Sequence, residues 1–234
     1  MDDPFGRAIR DEHRGEREHT MVDVDGGDLR EHPIDLYFRA VERDGDFPWA
    51  LERLSGPVLE LGAGTGRHTL ALQERAETVA TEVSERLVEV MRERGVHEVR
   101  HADMFDLPTF DRSFRSVFAR GTQVGLAGSV PGLRSFLRDL VRVTRPRATA
   151  VLDGHDPTHE RAPGLFGYRG DPTPGLAYRS FHVEYDGDAG PTLLFRLFAP
   201  ERFREATLGT PWRVTELRRS DARTPHYQVT LEKR

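Results

Sequence analysis

The chain has 234 residues, a formal net charge of −5 and no cysteine. This length suits one α/β domain with additions, and the lack of cysteine excludes disulfides, thiolate metal sites and a cysteine nucleophile. The negative charge argues against a nucleic-acid partner, because phosphate binding usually depends on a basic surface. No apolar run approaches the roughly 20 residues of a membrane span, and the charged N-terminus lacks the signal-peptide pattern. We therefore predict a cytoplasmic protein.

The N-terminal segment, residues 1–54, precedes the regular part of the sequence. Its first 31 residues are polar and charged, a composition typical of a mobile arm or an ordered lid. Apolar spacing predicts two short helices, over Pro33–Val41 and Phe47–Leu54. We therefore predict an N-terminal arm with lid helices, followed by a main domain over residues 55–234.

Predicted strands and helices alternate from Pro57 onward. Five buried strands are expected, with the sequences PVLEL, TVATEV, HEVRHAD, SVFARG and ATAVLDG. The segments between them carry apolar residues at helical spacing, most regularly in the helix that opens at Pro131. This alternation requires right-handed crossovers and a parallel sheet with helices on both faces, so we predict an α/β fold.

The composition changes after Gly154. Residues 155–200 begin with a stretch rich in glycine and proline, and continue with two strand patterns that flank DGDAGP and predict a β-hairpin. A short helix is predicted over Pro200–Leu208, and the sequences WRVTELRR and HYQVTLEK predict two final strands.

The sequence VLELGAGTGRHTLAL places three glycines between the first strand and a helix. Gly62, Gly64 and Gly66 let the backbone approach a ligand closely, and the free N–H groups of the following helix point at the same place. The dinucleotide fingerprint is GxGxxG, whereas the spacing here is GxGxG, and Glu60 would repel a pyrophosphate. S-adenosylmethionine has no phosphate and carries an ammonium and a sulfonium beside one carboxylate. It therefore suits an acid near this turn.

Two further acids lie where an adenosyl group needs them. Glu82 ends the second strand, about 20 residues after Gly62, the distance at which a carboxylate meets ribose hydroxyls. Asp103 ends the third strand, where its carboxylate either accepts from the adenine amino group or caps the next turn. Val83 and Met104 follow these two acids and are placed to sandwich the base.

Four segments resemble, in order and spacing, the motifs of class I S-adenosylmethionine-dependent methyltransferases. They are ELGAGTGRH, VATEVSERLVEVMRERG, HADMFDLP and FDRSFRSVFARGT, and the resemblance covers roughly residues 55–155. It implies a seven-stranded, mostly parallel, doubly wound Rossmann-like sheet with an antiparallel last strand. The inserted β-hairpin of residues 155–200 would then shape the acceptor pocket. The implied cofactor is S-adenosyl-L-methionine, with S-adenosyl-L-homocysteine as product. The implied cofactor-binding residues are Glu60, Gly62, Ala63, Gly64, Gly66, Glu82, Val83, Asp103, Met104 and Arg120.

The residues on the acceptor side follow from the chemistry. Methyl transfer from a sulfonium needs orientation and exclusion of water, and it needs a base only when the acceptor carries a proton. Arg120 and Gln123 follow the fourth strand, and His155 follows the fifth, so these are the candidate catalytic residues. Arg120 either orients an anionic acceptor group or forms an interior ion pair. His155 lies in the polar sequence DGHDPTHE, which offers a base, metal ligands or plain loop polarity, and no metal site is assigned.

We therefore predict methyl transfer to an O or N atom of a small molecule. One alternative is a non-catalytic S-adenosylmethionine-binding subunit, since no signature base is present. A less favoured one is an NAD-dependent oxidoreductase. The sequence does not determine the acceptor, the oligomeric state or the use of a general base.

Overall fold

A computed structural model describes residues 3–41, 45–162, 167–219, 221 and 223–234. The helices are α1 (Pro4–Arg14), α2 (Phe47–Leu51), α3 (Arg67–Gln73), α4 (Glu85–Glu93), α5 (Val130–Val143) and α6 (Pro200–Thr207). The strands are β1 (Val22–Asp25), β2 (Asp28–Glu31), β3 (Val58–Leu61), β4 (Thr78–Glu82), β5 (Val99–His101), β6 (Phe114–Ala119), β7 (Thr144–His155), β8 (Arg169–Gly170), β9 (Leu176–Tyr185), β10 (Asp188–Ala189), β11 (Leu193–Phe198), β12 (Trp212–Arg219) and β13 (His226–Lys233).

The main sheet has seven strands in the order β12–β13–β7–β6–β3–β4–β5. The strands from β3 to β7 pair in parallel. Strand β13 lies between β7 and β12 and runs antiparallel to both. This arrangement confirms the predicted doubly wound sheet with an antiparallel last strand.

Hydrophobic clusters lie on both faces of this sheet. Leu59 and Leu61 belong to a large cluster that contains the buried side of α5 and residues of α6. Val58, the residue before Leu59, packs instead with residues of α2 and α3. Alternate side chains of one strand thus face opposite layers, as expected for a buried central strand.

Local sequence explains where the main helices begin. Ser84 caps α4, since its hydroxyl oxygen accepts a hydrogen bond from the backbone N–H of Leu87 at 3.2 Å. Ser129 caps α5 in the same way, and Pro131 stands in its first turn, where the missing N–H costs nothing. The helix predicted to open at Pro131 is therefore confirmed.

A second sheet joins strands of the N-terminal segment to strands of the insertion. Its central strand, β9, pairs with β11 in the predicted hairpin and also with β1, β8 and β10. Strands β1 and β2 form a hairpin of their own. The sequence did not predict these two strands, because each has only four residues and carries several charges.

Residues 3–41 of the N-terminal segment contain α1, the β1–β2 hairpin and a 3-10 helix. Helix α1 has Asp3 as its N-cap and Gly15 at its C-terminus with φ of 71°. The predicted helix over Pro33–Val41 is a 3-10 helix over Ile34–Tyr37, and the second predicted helix ends at Leu51. The proposed division at residue 54 stays a prediction. Part of the loop predicted after Gly154, residues 163–166, lies outside the described residues.

Within the described part of the chain, no helix is long and apolar enough to cross a membrane.

Candidate functional site

The candidate site lies at the carboxyl ends of the parallel strands. Strand β3 pairs with β4 on one side and with β6 on the other, so the strand order reverses beside it. Open α/β sheets bind ligands in the crevice at such a reversal. The turn after β3 contains the three predicted glycines, and residues following β4, β5 and β6 lie along the same edge.

The three glycines of this turn have different roles. Gly62, Gly64 and Gly66 have φ values of 62°, 60° and 72°, which disfavour any residue with a side chain. A Cβ atom at Gly66 would lie 2.6 Å from Val96 Cγ2 and 2.9 Å from Met91 Cγ, so this glycine is required for packing beneath the turn.

The other two glycines face residues at the surface of the crevice. A Cβ atom at Gly62 would lie 3.1 Å from the Gln123 side chain, and one at Gly64 would lie 3.9 Å from the Tyr37 ring. The structure therefore brings Gln123, a predicted catalytic residue, next to the glycine turn. Ala63, between the two glycines, is buried.

We expect Gly66→Ala to destabilise the protein by about 2–5 kcal/mol. The left-handed backbone accounts for about 1–2 kcal/mol, and overlap with Met91 and Val96 adds about 1–3 kcal/mol. The matched control is Gly15→Ala, which has a φ of 71° but no atom within 4 Å of the new Cβ. Urea unfolding of both variants measures the difference, and equal losses of stability would contradict the packing role.

Glu82 holds the glycine turn from the end of β4. Its Oε2 accepts a hydrogen bond from Gly64 N at 2.9 Å, and its Oε1 accepts from Val83 N at 2.9 Å and Ser84 N at 3.1 Å. Burial raises the pKa of this carboxyl above its usual value, although the three N–H donors oppose the shift. A carboxylate oxygen can accept two hydrogen bonds, so Oε2 has capacity for a ligand hydroxyl.

Glu60 lies deeper, on β3. Its carboxylate is 2% exposed and accepts a hydrogen bond from Thr69 Oγ1 at 2.7 Å, while His68 Nδ1 lies 4.0 Å away. Burial raises the pKa of Glu60 to about 8, and the charge of Glu82 adds to the rise. At neutral pH the ligand-free protein therefore holds Glu60 largely protonated, and a nearby cation would favour its ionisation.

This raised pKa predicts a pH-dependent stability. A carboxyl whose pKa is higher in the folded state stabilises the fold fully below about pH 4.5, and the contribution disappears as the pH rises through about 8. The side chain of Glu60→Gln cannot ionise, so we expect the stability of this variant not to show this decrease as the pH rises. Melting temperatures of both proteins from about pH 5 to pH 9 give the comparison. Parallel curves would show that Glu60 is ionised throughout.

The three residues predicted to contact adenine differ in their burial and hydrogen bonding. Asp103 Oδ1 accepts from Phe105 N at 2.8 Å and so caps the turn after β5, one of the two roles considered for it. Its Oδ2 accepts no hydrogen bond from the described residues, so the adenine role also stays a prediction. Val83 is 64% exposed beside Glu82, whereas Met104 is buried within the main core.

The 3-10 helix over Ile34–Tyr37 covers the glycine turn. Thr65 Oγ1 donates a hydrogen bond to the backbone oxygen of Tyr37 at 2.5 Å. Burial raises the pKa of the Tyr37 hydroxyl, and the charges of Asp23 and Glu82 add to the rise. The sequence favours Tyr37, Phe38 and Trp49 as lid or pocket-lining residues, with ordinary packing as the alternative, and Tyr37 is the one of these that lies on Gly64.

The opposite wall of the crevice is organised by Asp153 near the end of β7. Its buried carboxylate accepts from Gly121 N at 3.1 Å, Thr122 N at 2.7 Å and His226 Nε2 at 3.0 Å. Burial alone would raise the pKa of Asp153, but the hydrogen bond from His226 and the charge of Arg120 bring it below its usual value. Asp153 thus anchors the loop that carries the predicted catalytic residues.

His155 lies beside this loop. Its Nδ1 is 3.1 Å from Thr122 Oγ1, and burial, with the charge of His226 adding to it, lowers its pKa to about 4. The imidazole is therefore neutral at physiological pH. Arg120, the other predicted residue here, has its guanidinium 3.7 Å from the carboxylate of Asp46.

Two residues of this wall were not predicted from the sequence. Asp46 lies 3.7 Å from Arg120 and 3.5 Å from His226, and His226 bonds Asp153. Asp46 directly precedes α2 in the N-terminal segment, and His226 begins the last strand, so no sequence spacing connects them with Asp153. Of the polar sequence after β7, Asp156 turns away and pairs with Arg219 at 2.5 Å.

The fold and this crevice define a Rossmann-like protein with a candidate ligand crevice over a glycine turn. Residues 58–147 match the family model described as a methyltransferase domain. A S-adenosylmethionine-dependent methyltransferase from Bacteroides fragilis, in complex with S-adenosyl-L-homocysteine, is 25% identical with a TM-score of 0.79. The match covers 99% of this chain and 94% of that one.

Two further solved structures share the fold. The CcbJ methyltransferase from Streptomyces caelestis is 18% identical with a TM-score of 0.64, over 83% of this chain and 96% of that one. The sugar N-methyltransferase KedS8 from Streptoalloteichus sp is 18% identical with a TM-score of 0.57, over 87% of this chain and 94% of that one. No curated protein matches the sequence.

The protein is a S-adenosylmethionine-dependent methyltransferase with the class I fold, and its cofactor is S-adenosyl-L-methionine. This identification confirms the predicted family and excludes the oxidoreductase alternative. The residues present suit the cofactor. A Cβ at Gly64 would meet only the Tyr37 ring, at 3.9 Å, so a ligand can approach the turn there, and the carboxyl groups of Glu60 and Glu82 suit the hydroxyl groups and positive charge of an adenosyl sulfonium.

Proposed function

We infer that the protein methylates a nitrogen or oxygen atom of a small molecule. The observation that carries this inference is that two segments of the chain pack against the crevice. Tyr37 of the N-terminal segment lies on Gly64, and β11 of the insertion packs on the 3-10 helix over Gln123–Ala127, where a Cβ at Gly125 would lie 2.8 Å from Arg196 O. A crevice covered in this way admits a small molecule more readily than a folded macromolecule.

The relatives support the same class of acceptor. The structural neighbour KedS8 is described as a sugar N-methyltransferase, so this fold accommodates a small polar acceptor. The net charge of −5 is also unsuited to a nucleic-acid acceptor.

The bound cofactor supplies an activated methyl group on a sulfonium. Residues of this chain would orient the acceptor, exclude water and take up a proton when the acceptor carries one. Neutral His155 is able to accept a proton, and Gln123, beside Gly62, is able to hydrogen bond an acceptor. We propose Arg120, Gln123 and His155 as the acceptor-side residues. Glu60, Gly62, Ala63, Gly64, Gly66, Glu82, Val83, Asp103, Met104 and Arg120 are the proposed cofactor-binding set.

Transfer of labelled methyl groups from S-adenosylmethionine to a cell extract tests this function. We expect label in the low-molecular-mass fraction after the extract is separated by size. Label confined to protein or RNA would contradict a small-molecule acceptor. Binding of S-adenosyl-L-homocysteine without any transfer would instead favour the non-catalytic alternative.

We expect His155→Gln to lower kcat about 100-fold if His155 is the base. Its affinity for S-adenosyl-L-homocysteine should not change, because the cofactor-binding residues lie on other strands. Steady-state kinetics on the labelled acceptor measure the effect, with His159→Gln as a control in the same loop. Equal kcat values in the two variants would remove His155 from the mechanism.

A further inference from the structure

Three charged side chains are buried together on one face of the second sheet. Asp23 and Asp25 on β1 are each 7% exposed, and Arg179 on β9 is 6% exposed. They occupy the buried positions of strands whose burial alternates, so they project to the same side. Removing charges from water costs several kcal/mol per ion, and apolar residues of similar volume often stabilise a fold as well or better. Stability alone therefore does not account for this ionic cluster.

The hydrogen bonds of the cluster leave one buried donor unused. Asp23 Oδ2 accepts from an Arg179 terminal nitrogen at 3.0 Å, and Asp23 Oδ1 lies 2.8 Å from His32 Nδ1. The oxygens of Asp25 accept from Arg169 at 2.5 and 3.2 Å. Arg179 Nε lies 3.8 Å from Asp25 Oδ2 and has no hydrogen-bond partner among the described residues. A buried donor without a partner costs about 1–3 kcal/mol, and the oxygen of a ligand would satisfy it.

Hydrogen bonds connect the cluster to the cofactor turn. His32 Nε2 lies 2.9 Å from the Tyr37 hydroxyl, while its Nδ1 bonds Asp23. The ring of Tyr37 lies 3.9 Å from a Cβ position on Gly64. The cluster therefore lies directly behind the residue that covers the glycine turn.

Aromatic rings accompany the charged groups. The guanidinium of Arg179 lies 4.1 Å from the centre of the Phe181 ring. The Tyr168 hydroxyl has its pKa raised to about 12 by burial, and the charge of Arg179 acts on it. Planar rings beside paired acceptors and donors are suited to a molecule that has both C–H faces and polar groups.

We propose that Asp23, Asp25 and Arg179 form the subsite for the methyl acceptor, and that this acceptor is a polyhydroxylated amine of the amino-sugar class. Carboxylates only accept hydrogen bonds and a guanidinium only donates them, whereas a hydroxyl does both. Neighbouring hydroxyl and amino groups can therefore bond an aspartate and Arg179 Nε together. A wholly apolar acceptor would leave that donor unpaired. This proposal rests on the proposed function and specifies its substrate class.

Binding to the protein saturated with S-adenosyl-L-homocysteine tests the subsite. The probes are glucosamine and 3-amino-3-deoxyglucose, with cyclohexylamine as a hydroxyl-free amine, and saturation-transfer NMR and calorimetry measure their affinities. We expect both amino sugars to bind the wild-type protein. Their affinities should fall at least 10-fold in Arg179→Lys and in Asp25→Asn, and cyclohexylamine should show no measurable binding. Arg7→Lys is the matched control, because Arg7 pairs with Asp186 and Asp188 at the other end of β9.

Each outcome separates a local role from a structural one. In each variant, an unchanged affinity for S-adenosyl-L-homocysteine and an unchanged melting temperature indicate an intact fold. If neither sugar binds the cofactor-loaded protein, or if Arg179→Lys and Asp25→Asn bind as wild type does, the subsite is wrong. If label from the extract experiment enters a small molecule without hydroxyl groups, the proposed function stands and the amino-sugar assignment falls. If no fraction is labelled although the amino sugars bind as expected, the subsite stands and catalysis is in question.

Discussion

Replacing Glu82 with alanine is expected to weaken the binding of S-adenosyl-L-homocysteine about 100-fold. A hydrogen bond to a charged group contributes about 1.5–3 kcal/mol, so the one ribose hydroxyl that Oε2 can still accept accounts for about 10- to 100-fold at 1.4 kcal/mol per factor of ten. The carboxylate also holds Gly64 N, Val83 N and Ser84 N, so its removal loosens the turn that the cofactor needs. Isothermal titration calorimetry measures the loss.

The matched control for this prediction is Glu85→Ala. Glu85 lies three residues further along the chain, at the first position of α4, and its side chain is 82% exposed. We expect it to bind S-adenosyl-L-homocysteine as wild type does. A Glu82→Ala protein with wild-type affinity would show that the ribose is not held at the end of β4.

The second large effect is expected at Asp153. Removing one partner of a buried charged network costs about 3–5 kcal/mol, and Asp153→Ala leaves the N–H groups of Gly121 and Thr122 and the imidazole of His226 without their acceptor. Thr122 has a φ of 62°, which the two backbone hydrogen bonds help to hold. We therefore expect both a lower unfolding midpoint in urea and a loss of methyl transfer.

Asp111→Ala is the control for this loss of stability. The Asp111 side chain is 73% exposed and pairs with its neighbour Arg112, so its removal should leave the urea midpoint essentially unchanged. Asp153→Asn separates charge from geometry, because one amide oxygen can still accept from the loop. If Asp153→Ala unfolds with the wild-type midpoint, the network does not support the loop.

The parallel sheet was predictable because its strands and helices follow one another along the chain. Leu59 and Leu61 face one layer and Val58 the other, so the first strand is apolar throughout except for Glu60. Glycines spaced at every second residue after it mark a turn that only glycine can form. The acids at positions 82 and 103 follow from the fixed distance between successive strand ends.

The second sheet was only partly predictable. The β9–β11 hairpin is local, and its apolar strand patterns flank a glycine-containing turn. Strand β1 pairs with β9 across about 160 residues of chain, since Val22 lies opposite Glu184, and β2 joins the sheet only through β1. Asp23 and Asp25 read as solvent-exposed charges in the sequence, because nothing nearby reveals Arg169 or Arg179 as their partners.

The sequence by itself determined the order of the strands, the glycine turn, the acids at three adjacent strand ends and hence the cofactor. Those features depend on periodicity and on short distances along the chain. Only the tertiary structure decided which side chains meet Asp153, that Tyr37 covers Gly64, and that two aspartates and an arginine are buried together. Contacts of this kind depend on packing and charge pairing between segments that are distant in the sequence. The spacing of residues along the chain therefore does not predict them.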